Sequence, residues 1–448
     1  MKGKLSAAAV LAGGAAALAA YRARKPKPLG VNYSDAPTKV LILGGGFGGL
    51  AATRELVRAF GGEREVGLGL LDRVNYTTFW PMVPAAISGD IEVGHAASSI
   101  RRIIKPFGAE FSQAEVVGVD FEAREVCSDI GSFPYDYLIL APGSRTAFLG
   151  ASGARENAID LKGLRDALRV RNTIIDHFEE AARLGNEAPE GLLTFVFVGG
   201  GPTGVEGVAD SHDLIFDVLK EDYPDVDFGR VRLVLINSGN NVLEGLDPSL
   251  VHAAERRLAA QRVEVINGVK ATEVSPDAVV LSDRRTILAR TTVWAVGVEP
   301  PPLVKDLDLQ KDPRGHIVVD EFLRVESRPG VYAVGDCAGV EVDGHHVPAL
   351  AQAAEQEGAT AARNLVAEIR GVDLAPFRYR HLGQLVDLGT TSALSDILGV
   401  RFSGLLGALV WKGVYFYELG YNLNRSRVLV DWTVDLFSRP DTSKVMED

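Results

Sequence analysis

KVLILGGGFGGLAATRELVRAFGGEREVGLGLLD, Lys39 to Asp72, is the stretch whose reading decides the fold. Val40 to Leu43 is a run of β-branched and aliphatic residues that leads into Gly44, Gly46 and Gly49, spaced GxGxxG, and a helical pattern opens at Leu50. Strand, glycine turn and helix follow without a gap. The first glycine permits the tight turn, the second lets backbone amides approach a pyrophosphate, and the third lets helix and strand pack closely. The pyrophosphate would sit on the helix N-terminus, where free amides and the helix dipole favour an anion. A second apolar run, Val66 to Leu71, ends in Asp72, near the spacing at which a carboxylate meets an adenosine ribose. The stretch predicts a dinucleotide-binding βαβ unit.

The pattern returns downstream. Leu192 to Val198 (LLTFVFV) reads as a buried strand, and it runs into Gly199, Gly201 and Gly204, again GxGxxG, with Val205 and Glu206 on the next helix. The following strand, Val231 to Ile236, ends in Asn237 instead of an acid. Val293 to Val298 and Gly330 to Ala338 (GVYAVGDCA) read as further buried strands, the second with Asp336 at its end. Between the two glycine units, Asn75 to Arg102 is broken by prolines and glycines. The runs AEVVGVD, REVCSD and YDYLIL, within Phe107 to Leu140, predict a small antiparallel layer returning to the main sheet and closing in APGS, Ala141 to Ser144. The fold class is therefore α/β, with two Rossmann-like domains, each a parallel sheet between helical layers.

The bulk properties narrow the field. With 448 residues, two or three domains are expected, and 46% hydrophobic with 24% charged residues describes an ordinary globular chain. A net charge of -12 gives no support to nucleic-acid binding. Two cysteines, Cys127 and Cys337, exclude a disulfide scaffold or zinc ribbon, and the histidines lack metal-ligand spacing, so no metal is expected. Leu5 to Tyr21 is an uncharged, alanine-rich run flanked by basic residues, heavier on the C-terminal side. It reads as a membrane anchor, a cleaved signal or an inert tail, and the charge distribution favours an anchor that leaves the body cytoplasmic. Pro26 to Pro37 reads as a linker. Gly404 to Tyr421 reads as an apolar, aromatic-rich helix, followed by Arg425, Arg427 and, after VLVDWTVDLF, Arg439; it suits a membrane interface or, equally, a core or dimer contact.

Two dinucleotide sites without a metal cluster or a nucleophile elbow point to hydride transfer between two nucleotides, one of them a flavin. The motifs GGGFGG with Asp72, APGS, GGGPTGVE, VWAVG, VYAVGDCA and PALAQAAEQEG resemble, in order and spacing, the two-dinucleotide-binding flavoprotein reductases. AQAAEQEG, FRYRHLG and WKGVYFYELGYNLNRSRVLVDWTVDLFSR narrow the resemblance to the type II NADH dehydrogenases, single-chain NADH:quinone oxidoreductases of the membrane surface. The resemblance implies FAD at Gly44, Gly45, Gly46, Phe47, Gly48, Gly49 and Asp72, with Val116 near the adenine, Asp336 at the ribityl chain and Gly143 lining the cleft. It implies NAD(P)H at Gly199, Gly201 and Gly204, with Glu206 close to the nicotinamide and Gly297 along its path. Gln352 and Gln356 would face the isoalloxazine and a membrane quinone. The implied organisation is an N-terminal segment and linker over 1–37, FAD-binding parts over 38–158 and 309–375, an NAD(P)H-binding domain over 159–308, and a C-terminal membrane-association and quinone region over 376–448. The implied location is the cytoplasmic side of the cell membrane.

Three departures from the family pattern bear on function. Asn237 replaces an acid that would accept the ribose hydroxyls and repel a 2′-phosphate, so NADPH is expected to serve alongside NADH. His381 and Leu382 replace an Asp-Lys pair before Gly383; Leu382 cannot deliver protons, which leaves His381 as the nearby titratable group. Thr77 and Ala85 stand where relatives often have His and Gln. The competing function is a membrane-associated flavoprotein with another acceptor or a redox-sensing role.

Overall fold

The computed structural model describes residues 26–419, 422–434 and 442–444. The apolar run Leu5 to Tyr21, and Tyr421 and Arg439 of the C-terminal pattern, lie outside the described residues.

β1 (Thr38–Leu43) runs into the first glycine turn and α1 (Phe47–Phe60), and β2 (Val66–Asp72) returns parallel to it, from Thr38 beside Val66 to Leu43 beside Leu71. Val40 to Leu43 are all buried, because β1 is central and covered on both faces; hence its continuous rather than alternating apolar run. The broken segment that follows contains a short helix, α2 (Ala85–Ser88), before β3 (Glu110–Gln113) and β4 (Tyr137–Leu140). Between β3 and β4 lies a three-stranded antiparallel layer of Val116–Asp120, Glu125–Ser128 and Gly131–Pro134. Its third strand is GSFP, which carries no alternating apolar signal; YLIL pairs parallel with β1 in the main sheet.

The second unit repeats the plan with β5 (Ile159–Asp160), α3 (Leu164–Leu184), β6 (Thr194–Val198), α4 (Pro202–Asp213), β7 (Arg232–Ile236), β8 (Glu264–Ile266) and β9 (Thr291–Trp294). The chain then re-enters the first sheet as β10 (Val331–Ala333), beside β4. The sheets run β10-β4-β1-β2-β3 and β5-β9-β6-β7-β8, so each glycine turn leaves a central strand at the point where strand order reverses, the usual place for a ligand cleft in such sheets.

α5 (Ala351–Arg370) lies across α1, and the approach is close enough that a Cβ on Gly358 would stand 2.0 Å from the Gly48 carbonyl oxygen. The C-terminal region forms an antiparallel sheet of β11 (Gly383–Asp387), β12 (Ala393–Ile397) and β13 (Val400–Phe402), followed by α6 (Gly404–Glu418) and α7 (Asn422–Val434).

Several expectations require correction. The expected linker is a packed strap: Leu29, Tyr33 and Ala36 are buried, and the Leu29 amide donates to the Phe107 carbonyl, because Tyr33 and Ala36 pack over Gly67 and Gly69 of β2. The domain boundaries at 158 and 308 also move. Ala154 and Ala158 share a core with Val196 and Trp294 of the second sheet, whereas Val304 and Leu307 pack with Leu41 and Leu140 of the first.

Candidate active site

The two glycine turns have one geometry. Gly44 has φ +105° and Gly199 φ +121°, the left-handed region that side chains avoid. A Cβ on Gly44 would stand 2.0 Å from Ala141 O and one on Gly199 2.4 Å from Ala295 O, while Gly49 and Gly204 would each meet the carbonyl oxygen of the first glycine of their turn at 1.9 Å. A Cβ on Gly46 or Gly201 would meet no protein atom within 4 Å. The outer glycines are demanded by the chain itself. The middle ones are demanded only by a ligand, and that open face at a helix N-terminus fits a dinucleotide pyrophosphate.

The strand ends opposite the turns match as well. Gly143 (φ +69°) and Gly297 (φ +59°) are both open, and just beyond them Arg145–Thr146 pairs antiparallel with Val298–Glu299, with Arg145 Nε 2.8 Å from Glu299 Oε1. The two crossings between the domains are thereby joined beside both clefts.

At the end of β2, Asp72 accepts from the Gly45 amide at 2.7 Å and the Val74 amide at 3.0 Å, and burial raises its pKa against those bonds. Its main-chain oxygen accepts from Ala114, which brings Val116, two residues on, to the same end of the cleft. Asn237, the counterpart at the end of β7, is buried and turned into its own loop: Nδ2 donates to Gly239 O (3.2 Å), Asn241 O (2.9 Å) and Asn267 Oδ1 (2.8 Å), and Oδ1 accepts from Gly239 N at 3.3 Å. An aspartate could make none of the three donated bonds.

Asp336 sits in the one-turn helix Gly335–Cys337, after Gly335 at φ +71°. Its Oδ2 accepts from Ser144 Oγ of APGS at 2.5 Å. Two partners escaped the sequence reading. Lys162 donates to Ser144 Oγ at 3.0 Å, lies 3.9 Å from Asp336 Oδ2 and 5.0 Å from the Trp80 ring centre, and burial lowers its pKa. Glu357 accepts from the Gly335 amide at 2.6 Å, and burial pushes its carboxyl up to about 7. Neither carries a local signal, since each meets the turn only through the tertiary fold.

Gln352 and Gln356, one helical turn apart on α5, clamp the segment before β11. Gln352 donates to Gly383 O at 2.8 Å and accepts from Leu382 N at 2.8 Å; Gln356 donates to Arg380 O at 2.9 Å and accepts from Arg380 N at 3.0 Å. His381 is held at their side, exposed, with Nδ1 3.2 Å from Tyr379 Oη, and Leu382 is 49% exposed. Phe47, within the first turn, packs on Phe79 at 6.1 Å and Phe79 on Tyr415 of α6 at 5.5 Å, so an aromatic wall runs from the first glycine turn to the C-terminal helices.

Glu206 is buried on α4 and accepts from the Asp387 amide at 3.1 Å; burial raises its pKa well above the carboxylate range. It opens a stripe of acids, Glu206, Asp210 and Asp213, along the buried side of α4; the sequence reading took only Glu206, although the i, i+4, i+7 spacing beside Val205, Val208 and Ala209 carries the signal. Among the described residues no cluster of His, Cys, Asp or Glu is arranged to hold a metal ion. Cys337 is buried with its thiol on the Val334 carbonyl, and Cys127 lies in the antiparallel layer, so the two are not a redox pair beside the cleft.

Two like-built dinucleotide cradles joined through paired crossings define a two-nucleotide oxidoreductase, and the family model for pyridine nucleotide-disulphide oxidoreductases matches residues 38–358. The type II NADH:quinone oxidoreductase Ndh of Mycobacterium tuberculosis is 31% identical over 418 residues, 89% of this chain and 88% of that one. The internal alternative NAD(P)H-ubiquinone oxidoreductase A1 of Arabidopsis thaliana mitochondria is 30% identical over 453 residues, 92% and 87%. In fold, NDH2 of Plasmodium falciparum, solved in complex with NADH, matches with a TM-score of 0.83 at 21% identity over 91% of this chain and all of that one. The chain belongs to the pyridine nucleotide-disulphide oxidoreductase family and, within it, to the type II NADH:quinone oxidoreductases.

Proposed function

We propose that the protein is an FAD-dependent, non-proton-pumping NAD(P)H:quinone oxidoreductase working at the cytoplasmic face of the cell membrane. The observation that carries this is the duplicated cradle, in which Gly46 and Gly201 are open to a ligand while their neighbours are closed by the chain. The first cradle takes FAD, with Asp72 on the adenosine ribose, Val116 near the adenine and Asp336, braced by Ser144 and Lys162, on the ribityl chain. The second takes the nicotinamide nucleotide, with Gly297 along its path and Glu206 near the reacting end. A flavin bound there would supply two-electron chemistry between the nicotinamide and the quinone. Gln352 and Gln356 fix the His381 segment beside the small-residue N-terminus of α5, which would face the flavin ring.

The membrane reading rests on α6. One face, Gly407, Ala408, Trp411 and Tyr415, is buried against the antiparallel sheet, while Leu405, Leu406 and Leu409 are 60–64% exposed; on α7, Leu429 and Val430 are more than half exposed. A helix apolar on both faces needs a second apolar surface, and a bilayer interface supplies it. No described helix is long and apolar enough to cross a membrane.

Purified protein should carry extractable FAD and oxidise NADH anaerobically with one water-soluble quinone reduced per nicotinamide. Nicotinamide oxidation that proceeds with dyes but with no quinone would overturn the assignment of the acceptor.

A further inference from the structure

The second cradle lacks at its strand end the acid that the first one has, and the chain brings one from further along the loop. In the first cradle Asp72 stands at the end of β2 with Oδ2 on the Gly45 amide. In the second, Asn237 packs against Gly200, where an added Cβ would stand 2.5 Å from its Oδ1. Its amide donors are spent on Gly239 O, Asn241 O and Asn267 Oδ1, which turns the side chain away from any ligand.

That loop is pinned to the glycine turn. The Leu243 amide donates to Gly200 O at 2.7 Å, and Val242 and Leu243 are buried. Leu243 holds a left-handed φ of +54°, a conformation that is costly for leucine and persists only where the surroundings impose it. The next residue is Glu244, exposed, with Oε1 accepting from the Asn240 amide at 2.8 Å. A Cβ on Gly239 would stand 2.6 Å from the Glu244 carboxyl carbon and 2.9 Å from Oε2. Gly239 is therefore a glycine because the carboxylate takes the place of its side chain, two residues beyond Asn237. The surrounding charge does not cancel it: the loop SGNNVLEGLD, Ser238 to Asp247, holds two acids and no base. Arg401, which reaches the loop, is committed to Asp247 at 3.0 Å and Asp396 at 3.2 Å.

In a fold of this kind the adenosine ribose of a dinucleotide on the glycine turn lies just past the end of the second strand, with its hydroxyls towards the acid that stands there. An exposed carboxylate at that place accepts from a 2′-hydroxyl and repels a 2′-phosphate. We propose that Glu244 is a specificity-determining residue for the nicotinamide nucleotide, supplying from the loop the acid that is missing at Asn237. This role rests on the placement of NAD(P)H in the second cradle proposed above. The resulting preference for NADH is about tenfold, because a solvated carboxylate and a phosphate repel only weakly through water and salt, and NADPH remains a substrate.

The test uses the full-length flavoprotein, with anaerobic bleaching by NADH and by NADPH over a range of concentrations. Equilibrium binding of adenosine 5′-monophosphate and of adenosine 2′,5′-bisphosphate is measured beside it. Glu244→Gln should bring the two nucleotides level, and Glu244→Lys should reverse the preference by about tenfold. The change should lie in the half-saturating concentration rather than the limiting rate, since the adenosine ribose is remote from the hydride. The bisphosphate should bind Glu244→Lys at least about tenfold more tightly than it binds the wild type, a gain that a damaged fold cannot give. Raising the salt concentration should narrow the wild-type preference and leave the ratio of Glu244→Gln flat. Ratios that neither variant moves, or a wild-type preference indifferent to salt, overturn the assignment of Glu244 alone. A wild type that neither nucleotide bleaches overturns the placement of NAD(P)H in the second cradle and the activity with it.

Discussion

At the scale of single residues, the glycines separate what the chain needs from what its ligands need. A side chain on Gly44 or Gly49 collides with backbone, so substitution there damages the fold; one on Gly46 or Gly201 collides with nothing until a nucleotide arrives. Gly46→Val should therefore purify folded but colourless. Gly201→Val should purify yellow with wild-type stability and resist bleaching by NADH at concentrations that bleach the wild type; absorbance and a melting curve check both. These positions were legible because the demand for glycine is local. Asn237 was legible only as a departure from an acid. Its inward turn depends on Gly239, Asn241 and Asn267, which no local pattern relates to it. Asp in its place loses three donated hydrogen bonds and buries a charge among acceptors, so Asn237→Asp should cost about 1–3 kcal/mol in denaturant unfolding. The wild type should use NADPH within a thousandfold of NADH by kcat/KM, since no acid is offered there to repel a 2′-phosphate.

At the scale of elements, periodicity served the buried strands and failed where another force decides. β1, β6 and the helix of Gly404–Glu418 stand out because each carries a dense apolar run with few polar residues. The antiparallel sheet of β11 to β13 was not legible, since its strands are short and interrupted by glycines whose φ is positive, Gly383, Gly389 and Gly399. The 28–36 strap was read as a linker because its few apolar contacts lie too far apart to show a period. For α6 the sequence left open whether the apolar surface meets core or membrane, and the helix does the first with one face while leaving the other bare. Leu405→Gln with Leu409→Gln removes part of that bare face without touching the Trp411 side. If each leucine contributes about 1 kcal/mol at an interface, partition onto lipid vesicles in sedimentation should fall by about thirtyfold, with soluble-quinone turnover unchanged. Equal vesicle binding would assign the face to another partner, such as a second copy of the chain.

At the scale of the whole molecule, two copies of one supersecondary plan were visible from the repeat of GxGxxG, whereas the return of the chain to the first sheet through GVYAVGDCA, which read as a buried strand, was implied only by the resemblance. The exchange of short segments at the boundaries was not, because Ala154 and Val304 are assigned by which sheet they cover. The buried acids between the second domain and the C-terminal region give the molecule a pH signature. Glu206, Asp210 and Asp387 have pKa values raised in the folded state chiefly by burial, whereas unfolded carboxyls titrate near about 4. The folded protein thus holds more protons than the unfolded one above that pH, and stability must decline as pH rises from there through the folded values, by up to about 1.4 kcal/mol per pH unit for each proton retained. Denaturant midpoints should fall as pH rises above the unfolded carboxyl range, and more shallowly in Asp210→Asn, which cannot ionise.

The central claim, that one cradle holds a flavin which the other cradle's nucleotide reduces and a quinone reoxidises, is tested most directly by stopped-flow absorbance of the anaerobic yellow protein. Mixing with NADH should bleach the flavin band, and a second mix with soluble quinone should restore it within the turnover time. A flavin that bleaches and stays bleached in the presence of quinone, or that NADH and NADPH both leave oxidised, would contradict it.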